Sequence, residues 1–592
     1  MDLKIISMQR ILSKLFILAA IQSAGWFPVK SQTNMFLSNP EALSVLRGNY
    51  DPAVYQRAGL ISDPESIRIG IIEGLDSQEQ LRLLTQLETF YNRNSGSDTM
   101  SLSQGIGACR TWILGHFDQS NKAADNRLVT GYLEFDADIC TKGHHKNPFL
   151  LIPGSDTTCK EIVLIMGHFD TRNEDRCDIE GFTPGIDDNG SGTVLVMELA
   201  RVLSQYSFNQ TILLTATTGE DEGLFGAKAW AEFLSLQGIK IRAVLNNDIV
   251  GGIYCGKTSP SPSCPYYGHA DSTHVRIFSF SAGGSMFSNS PHKQLVRYIK
   301  YVQDSLINPN LSVPLTVNIM LGEDRGGRGG DHTPFRQKGY TAVRITSANE
   351  HGNGTGTPPD RNHSTRDVLG QDINGDGILD SLFINPGYLA RNSILNGVVA
   401  GLLASAPDRV NPIVQPGLSG ATIQIQETDD DIEGILVGIR KYKSRSLEFD
   451  TLFSVPLQDQ FRITLDPGQK NYVSIALVKN GVPGLFSDEI EVNLTGSDEI
   501  FQDSGSRLIH NYPNPCSDET TLEFETSREY WYQPAVIEIK DMIGRLVNRK
   551  TLTLSAGLTE VVVSAQNLDP GLYSCTVTVK GRDRQSTMIV KN

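Results

Sequence analysis

The apolar positions change rhythm several times along the chain, and each change predicts a different kind of element. From Ser77, SQEQLRLLTQLETFYNR sets leucines at helical spacing, with Ser77 and Gln80 as a capping box. GIGACRTWILGHF (105–117) predicts a second helix with Trp112, Ile113 and Phe117 on its buried side. Between 161 and 250 near-continuous apolar runs alternate with helical spacing. EIVLIMGHFD (161–170), TILLTATTGED (211–221) and IRAVLNNDIVG (241–251) read as strands. GTVLVMELARVLSQ (192–205) and AKAWAEFLSLQG (227–238), closed by Gly238, read as helices. TAVRITSA (341–348) predicts a later strand and PGYLARNSILNGVVAGLLASA (386–406) a closing helix, whereas residues 33–76 carry little pattern. Strands apolar on both faces and separated by helices imply an α/β fold, a mostly parallel central sheet flanked by helices.

Beyond a linker, SAPDRVNP (405–412), the period falls to two. ATIQIQE, GILVGIRKY, FRITLD and YVSIALV alternate between Pro- and Gly-bearing turns, the pattern of an all-β sandwich. A polar stretch then leads to a second β module at 509–592. At the other end, Lys4, Arg10 and Lys14 precede an apolar run, Leu15 to Ile21, that is too short to span a bilayer. This reads as a signal peptide, and the small-residue rule is met by cleavage after Gly25 or after Ser31. The expected organisation is a signal peptide (1–32), a catalytic domain (33–408), a β-sandwich (409–495), a linker (496–508) and a terminal β module (509–592).

Composition narrows the partners. A net charge of −15 without a basic stripe excludes nucleic acid and anionic membrane as the expected partner. No later segment reaches membrane-spanning length, so a soluble or surface-attached protein is expected. Eight cysteines in an exported chain allow disulfides, and Cys255 with Cys264, flanking a Pro/Ser-rich loop, is the best pair. None lies in a C-x-x-C pattern, so thiolate metal ligation is not expected.

The chemistry concentrates where the strands end. His168 and Asp170 close the first strand, Glu220 and Asp221 the second, and Asp248 the third. Asp187 and Asp188 sit in PGIDDNGSG, the Gly-rich loop that opens the following helix. In a parallel α/β sheet those ends line one crevice. Neighbouring strands lie about 4.8 Å apart, so such carboxylates converge on metals. Any one of these residues alone reads as well as a helix cap or a solvated turn. His, Asp and Glu ligation without thiolate suits zinc, cobalt or manganese.

The series GHFDT, PGIDDNGSG, TTGEDEGLFGA, LNND and NHST, in that order over residues 77–406, resembles the double-zinc aminopeptidase family, which also includes glutamate carboxypeptidase and the single-zinc glutaminyl cyclases. The resemblance implies two Zn2+ ions, one on His168 and Asp248 and the other on Asp221 and His363. Asp188, three residues before the Ser-Gly pair, takes the place of the bridging acid. Glu220 takes that of the general base, and Asp170 that of the carboxylate orienting His168. The chain departs from the family in carrying Glu220-Asp221 where Glu-Glu is common, which shortens one ligand. GGDHTPF (329–335) is similar to the segment near the substrate pocket, making His332 a substrate-contact candidate. Arg328, within RGGRGG (325–330), is a second; that run is too short for an RNA-binding repeat.

The implied activity is a secreted aminopeptidase acting on peptides. The alternatives are a carboxypeptidase of the glutamate carboxypeptidase type, a single-zinc cyclase, and a catalytically inactive surface-binding protein. Residues 410–495 resemble a fibronectin type III domain. NYPNP (511–515), IEIKDMIGRLV (537–547) and LDPGLYSCTVTV (568–579) resemble the C-terminal sorting domain of type IX secretion. That likeness implies the secretion machinery as partner and export through the periplasm to the medium or the cell surface. Finally, DINGDGILD (372–380) sets Asp372, Asn374, Asp376 and Asp380 in a calcium-loop pattern around Gly377. An EF-hand would end on Glu where Phe383 stands, so a structural Ca2+ site is expected and an Asx-rich turn is the alternative.

Overall fold

The computed structural model describes residues 33–256, 268–281, 290–324, 329–350, 361–417, 419–425, 431–444, 446–466, 469–494, 506–512, 514–526, 530–541, 544–555, 558–579 and 583–591. The expected signal peptide, Cys264, Arg328 and residues 496–505 of the linker lie outside the described residues.

Nine strands form one sheet, in the order β1-β2-β3-β5-β4-β6-β9-β7-β8. They are β1 (Thr33–Leu37), β2 (Val129–Ile139), β3 (Lys142–Ile152), β4 (Glu161–His168), β5 (Thr211–Thr217), β6 (Lys240–Asn247), β7 (His274–Ser279), β8 (Thr316–Ile319) and β9 (Ala342–Ser347). β4 runs parallel to β5 and β6, and β6 to β9. Towards the edges the pairing turns antiparallel, through β1-β2-β3 and β3-β5 on one side and β9-β7 on the other. The central strands are largely apolar because both faces are covered. Val163, Ile165, Leu214 and Leu245 pack under helices Ser77–Glu88, Gly105–Ala123, Gly192–Leu203 and Pro386–Leu403. Leu164, Met166, Leu213 and Val244 face the opposite way, onto helix Phe225–Leu236. Adjacent residues of one strand thus belong to different cores, as the two-residue period of a strand requires.

The pattern-poor segment 33–76 is structured. It supplies β1 and helices Glu41–Leu46 and Pro64–Gly74, the latter capped by Asp63 on the Ser66 N–H. The capping box expected at Ser77 and Gln80 is corrected by one residue. Asp76 is the N-cap, accepting the Gln78 N–H at 2.8 Å, while Gln80 is buried and donates to Ser393 Oγ at 2.6 Å. An ionised carboxylate at the cap satisfies the helix end better than a serine hydroxyl, because it also meets the positive end of the helix dipole. The helix stops at Glu88, so Thr89–Arg93 leave it.

The eight cysteines hold a pair that the chain pattern did not suggest. Cys140 is bonded to Cys177, tying the turn between β2 and β3 to the loop after β4. Cys255 is also disulfide-bonded.

Residues 413–492 form two facing sheets around Ile435, Val437, Ile463, Val473 and Ile475. This module is packed onto the first unit. Leu436, Ala476, Val482 and Phe486 join the core of the large sheet. On helix Pro291–Val302, Gln294 Nε2 donates to Ser474 Oγ at 2.7 Å. From the same helix Arg297 reaches Glu489 at 3.2 Å, and Glu489 holds Arg440 through two bonds of 2.7 and 2.8 Å. All three charges are buried. Arg242 fastens the intervening linker, through Glu161 at 2.8 Å, the Ala406 carbonyl at 2.7 Å and the Asp408 carboxylate. The terminal module is a further pair of sheets, spanning Ser506–Lys591, with Ala535, Ile537, Cys575 and Val577 in its core.

Glu489 is the shared anion of two buried guanidiniums. Replacing it by alanine should cost about 3–5 kcal/mol, the usual penalty for stranding a buried charge, read as a fall in the denaturation midpoint.

Candidate metal centre

The parallel strands deliver their C-terminal ends to one crevice. His168 is the last residue of β4; Glu220 and Asp221 follow β5 in the short helix Glu220–Gly223; Asp248 follows β6. Asp188 comes from the tight turn Ile186–Ser191 and His363 from a loop beyond β9. His168 Nε2 lies 3.5 Å from Asp188 Oδ1 and 3.6 Å from Asp248 Oδ1. His363 Nε2 lies 2.9 Å from Asp188 Oδ2 and 3.2 Å from Asp221 Oδ1. The two oxygens of Asp188 therefore face two different histidine–aspartate pairs.

These groups fit metal ions. Among the described residues His168 Nε2 and Asp221 Oδ2 are buried without a hydrogen-bonding partner, a costly arrangement for polar atoms. The ligand atoms of His168, Asp188 and Asp248 lie within 4.8 Å of one another, as do those of His168, Asp170 and Asp221. Imidazole nitrogen with carboxylate oxygen is a zinc-type donor set.

The surrounding charge is arranged for the same end. Burial opposes a charge on His168, but Asp170, Asp188 and Asp248 overcome it and hold its pKa well above the usual value. Burial likewise opposes ionisation of Asp188, and the two histidines more than offset it. Asp248 is drawn down to about 2 against its burial, chiefly by Arg344, whose Nε is 2.9 Å from Oδ2. Arg344 in turn holds Asp324 at 2.8 Å and Glu350 at 2.9 Å. Glu220 is raised well above a normal carboxyl by burial, with Asp248, Asp331 and Asp221 adding to it and His168 opposing.

Residues outside the motif series complete the centre. Asp367 accepts the backbone N–H of Asp187 at 3.0 Å and of Asp188 at 2.9 Å, one on each oxygen. Asp187 itself turns away and caps Gly251 and Gly252, at 3.1 and 2.9 Å. Asp170 stands beside His168 Nδ1, its carbonyl at 3.2 Å and its Oδ1 at 3.6 Å. Arg172 Nε donates to Asp221 Oδ1 at 2.9 Å, and its Nη2 lies 2.6 Å from His363 Nδ1. Arg172 and Asp367 carry a faint sequence signal, two residues after Asp170 and four after His363. Arg344 carries none, being an arginine within a buried strand.

The remaining candidates fall elsewhere. His332 is fully buried, with Nε2 3.0 Å from the Glu323 carbonyl, and Arg328 lies outside the described residues. The neighbour of His332, Asp331, accepts from Thr217 Oγ1 and is pushed by burial to about 7. The loop of Asp372, Asn374, Asp376 and Asp380 is an exposed hairpin tip between Gly370–Gln371 and Ser381–Leu382. There the Asp372 carboxylate accepts the N–H groups of Gly375 and Gly377, and Asp380 that of Ile373.

The model of peptidase family M28 matches residues 149–380, which contain every ligand candidate. A probable zinc metalloprotease of Pyricularia oryzae is 30% identical over 410 residues, covering 67% of this chain and 78% of that protein. The chain belongs to peptidase family M28. Another relative, a probable zinc metalloprotease of Pyrenophora tritici-repentis, is 30% identical over 285 residues, 45% of this chain. The chain spans 62% of that relative's length. Among solved structures, the LapA aminopeptidase of Legionella pneumophila is similar at 19% identity and a TM-score of 0.41, covering 60% of this chain and 78% of that one. A leucine aminopeptidase precursor from Bacteroides thetaiotaomicron is similar at 15% identity and a TM-score of 0.35, covering 55% and 97%. A secretion system C-terminal sorting domain matches residues 510–591.

Asp367 offers a direct test of the turn's support. Asp367→Ala leaves two buried N–H groups without acceptors, at about 1–3 kcal/mol. The expected result is a lower thermal midpoint together with weaker zinc binding in a chromogenic-chelator competition.

Proposed function

We propose that this chain is a secreted zinc-dependent exopeptidase that removes N-terminal residues from peptides. The observation that carries the proposal is the two-sided placement of Asp188, one oxygen towards His168 and Asp248 and the other towards Asp221 and His363. His168 and Asp248 would hold one Zn2+, Asp221 and His363 the other, with Asp188 shared. Bound there, zinc supplies Lewis acidity, polarising the scissile carbonyl and acidifying a water. Glu220, beside the ligands and with its pKa raised by burial, accepts the proton of the attacking water and returns it to the leaving amine. Asp170 keeps the His168 ring oriented. His332, being buried, would act on substrate only through the residues around it, and Arg328 belongs to the same segment.

A carboxypeptidase would need a cation for the substrate carboxylate. Arg172 stands at the site, but Asp221 and His363 engage its guanidinium, which favours the aminopeptidase. Residues 510–591 support export by the type IX machinery, to the medium or the cell surface. Residues 410–495 are read as a fibronectin type III-like domain, and the 372–380 loop as a candidate Ca2+ site.

Aminoacyl-nitroanilides should be cleaved, and N-blocked peptides with a free carboxylate left intact; the opposite pattern would select the carboxypeptidase. Glu220→Gln should retain zinc but lose about 10²–10⁴-fold in kcat. Undiminished turnover by that variant would remove Glu220 from its role. Deleting residues 509–592 should trap the enzyme in the periplasm, which fractionation would reveal.

A further inference from the structure

His168 and Asp188 are separated by a long excursion. The chain leaves the sheet at Phe169, wanders to the Cys177 disulfide, and returns at Gly185, three residues before Asp188. Within that path Thr171 meets Thr183, and the two ligands must face one ion. The ends are joined from outside by Arg93, which is fully buried. Its Nε donates to the Phe169 carbonyl at 3.0 Å. Its Nη1 donates to the Pro184 carbonyl at 2.6 Å and to that of Leu87 at 3.3 Å, and its Nη2 to Gly185 at 2.9 Å. One guanidinium thus holds the residue after the first ligand and the turn that carries the bridging ligand.

Smaller contacts reinforce the neck. The Arg93 carbonyl accepts the Thr171 N–H at 3.2 Å, and its own N–H meets Thr183 Oγ1 at 3.3 Å. Thr171 Oγ1 donates to the Thr183 carbonyl at 2.9 Å. Gly185, at φ +47°, leaves no room for a side chain, since a Cβ there would lie 2.1 Å from Thr171 Cγ2. A guanidinium buried on neutral carbonyls is an expensive way to fill space, because it gives up hydration without gaining a carboxylate. Its use is geometric. A planar fork with five donors can grip two chain segments in one fixed relation, and a lysine or an apolar side chain cannot.

We propose that Arg93 is a positioning residue that sets the spacing of His168 and Asp188 and thereby the affinity for the ion between them. The inference rests on the metal-centre reading above. Neither Arg93 nor its acceptors belong to the ligand or base set, so the effect passes through the backbone.

The test is zinc titration into the full-length chain after chelator treatment, comparing wild type with Arg93→Lys, Thr171→Val and Asn92→Ala. Asn92 ties the far end of the same excursion, donating to the carbonyls of Asp178 and Gly181, and serves as the control. Arg93→Lys should weaken zinc binding about 10- to 100-fold, as loss of ligand-orienting contacts does. Thr171→Val, nearly isosteric and mild, should weaken it by about 3-fold or more. Asn92→Ala should bind as wild type does. Peptidase activity of both neck variants should return as zinc is raised, which a general loss of folding would not allow. Wild-type zinc affinity in folded Arg93→Lys, or in Thr171→Val should the lysine variant not fold, overturns the proposal and leaves the metal-centre reading intact. Absence of zinc binding by the wild type would overturn both.

Discussion

The structure is organised around a concentration of buried negative charge. Asp170, Asp188, Asp221 and Asp248 all lie within the crevice, with Asp187 and Asp367 just behind it. Carboxylates packed so closely repel one another and give up hydration, so each needs a cation or a hydrogen-bond donor nearby. The molecule supplies both kinds. His168 and His363 stand between the acids, Arg344 holds Asp248 Oδ2 and Arg172 holds Asp221 Oδ1, and backbone N–H groups cap Asp187 and Asp367. What these groups leave unmet, at His168 Nε2 and Asp221 Oδ2, is where a divalent ion does most good.

The ligands were legible in the sequence because their chemistry is local. His168, Asp188, Asp221 and Asp248 sit at the ends of apolar runs or in a Gly-rich turn, where a charged residue stands out, whereas His363 rests on the NHST motif alone. The central strands were legible for the same reason, being apolar over most of their length. The supports were hidden. Arg344 lies in the middle of strand β9, and Arg93 in what reads as the tail of a helix, so nothing in their neighbours marks them. Their acceptors come from distant parts of the chain, a pairing that only the fold brings about. The antiparallel flanks were missed as well. β1 lies in a stretch with no clear period and pairs antiparallel with β2, which pairs with β3, and tertiary pairing rather than propensity decides their state. Cys140 and Cys177 went unpaired because they are 37 residues apart in sequence and lie in separate elements.

Two devices keep the centre's loops in place. The disulfide restrains the outer part of the excursion after β4, and the buried guanidinium of Arg93 restrains its neck. They act on different lengths of chain. A covalent tether limits how far the loop travels, whereas directional hydrogen bonds fix the orientation of the two peptide groups they join. Ligand geometry depends on the second kind of restraint, because metal–ligand distances tolerate little error.

The buried Arg297–Glu489–Arg440 cluster has a consequence for how the chain can be divided. A cut made after the helix Pro386–Leu403 would leave Arg297 and Gln294 of the first unit facing water beside an apolar surface that Phe486 and Val482 now cover. A cut made after Leu494 would leave that seam closed. By its physics the sandwich is therefore a lobe of the unit that carries the large sheet, and recombination that exchanges modules would find its natural joint on the far side of it.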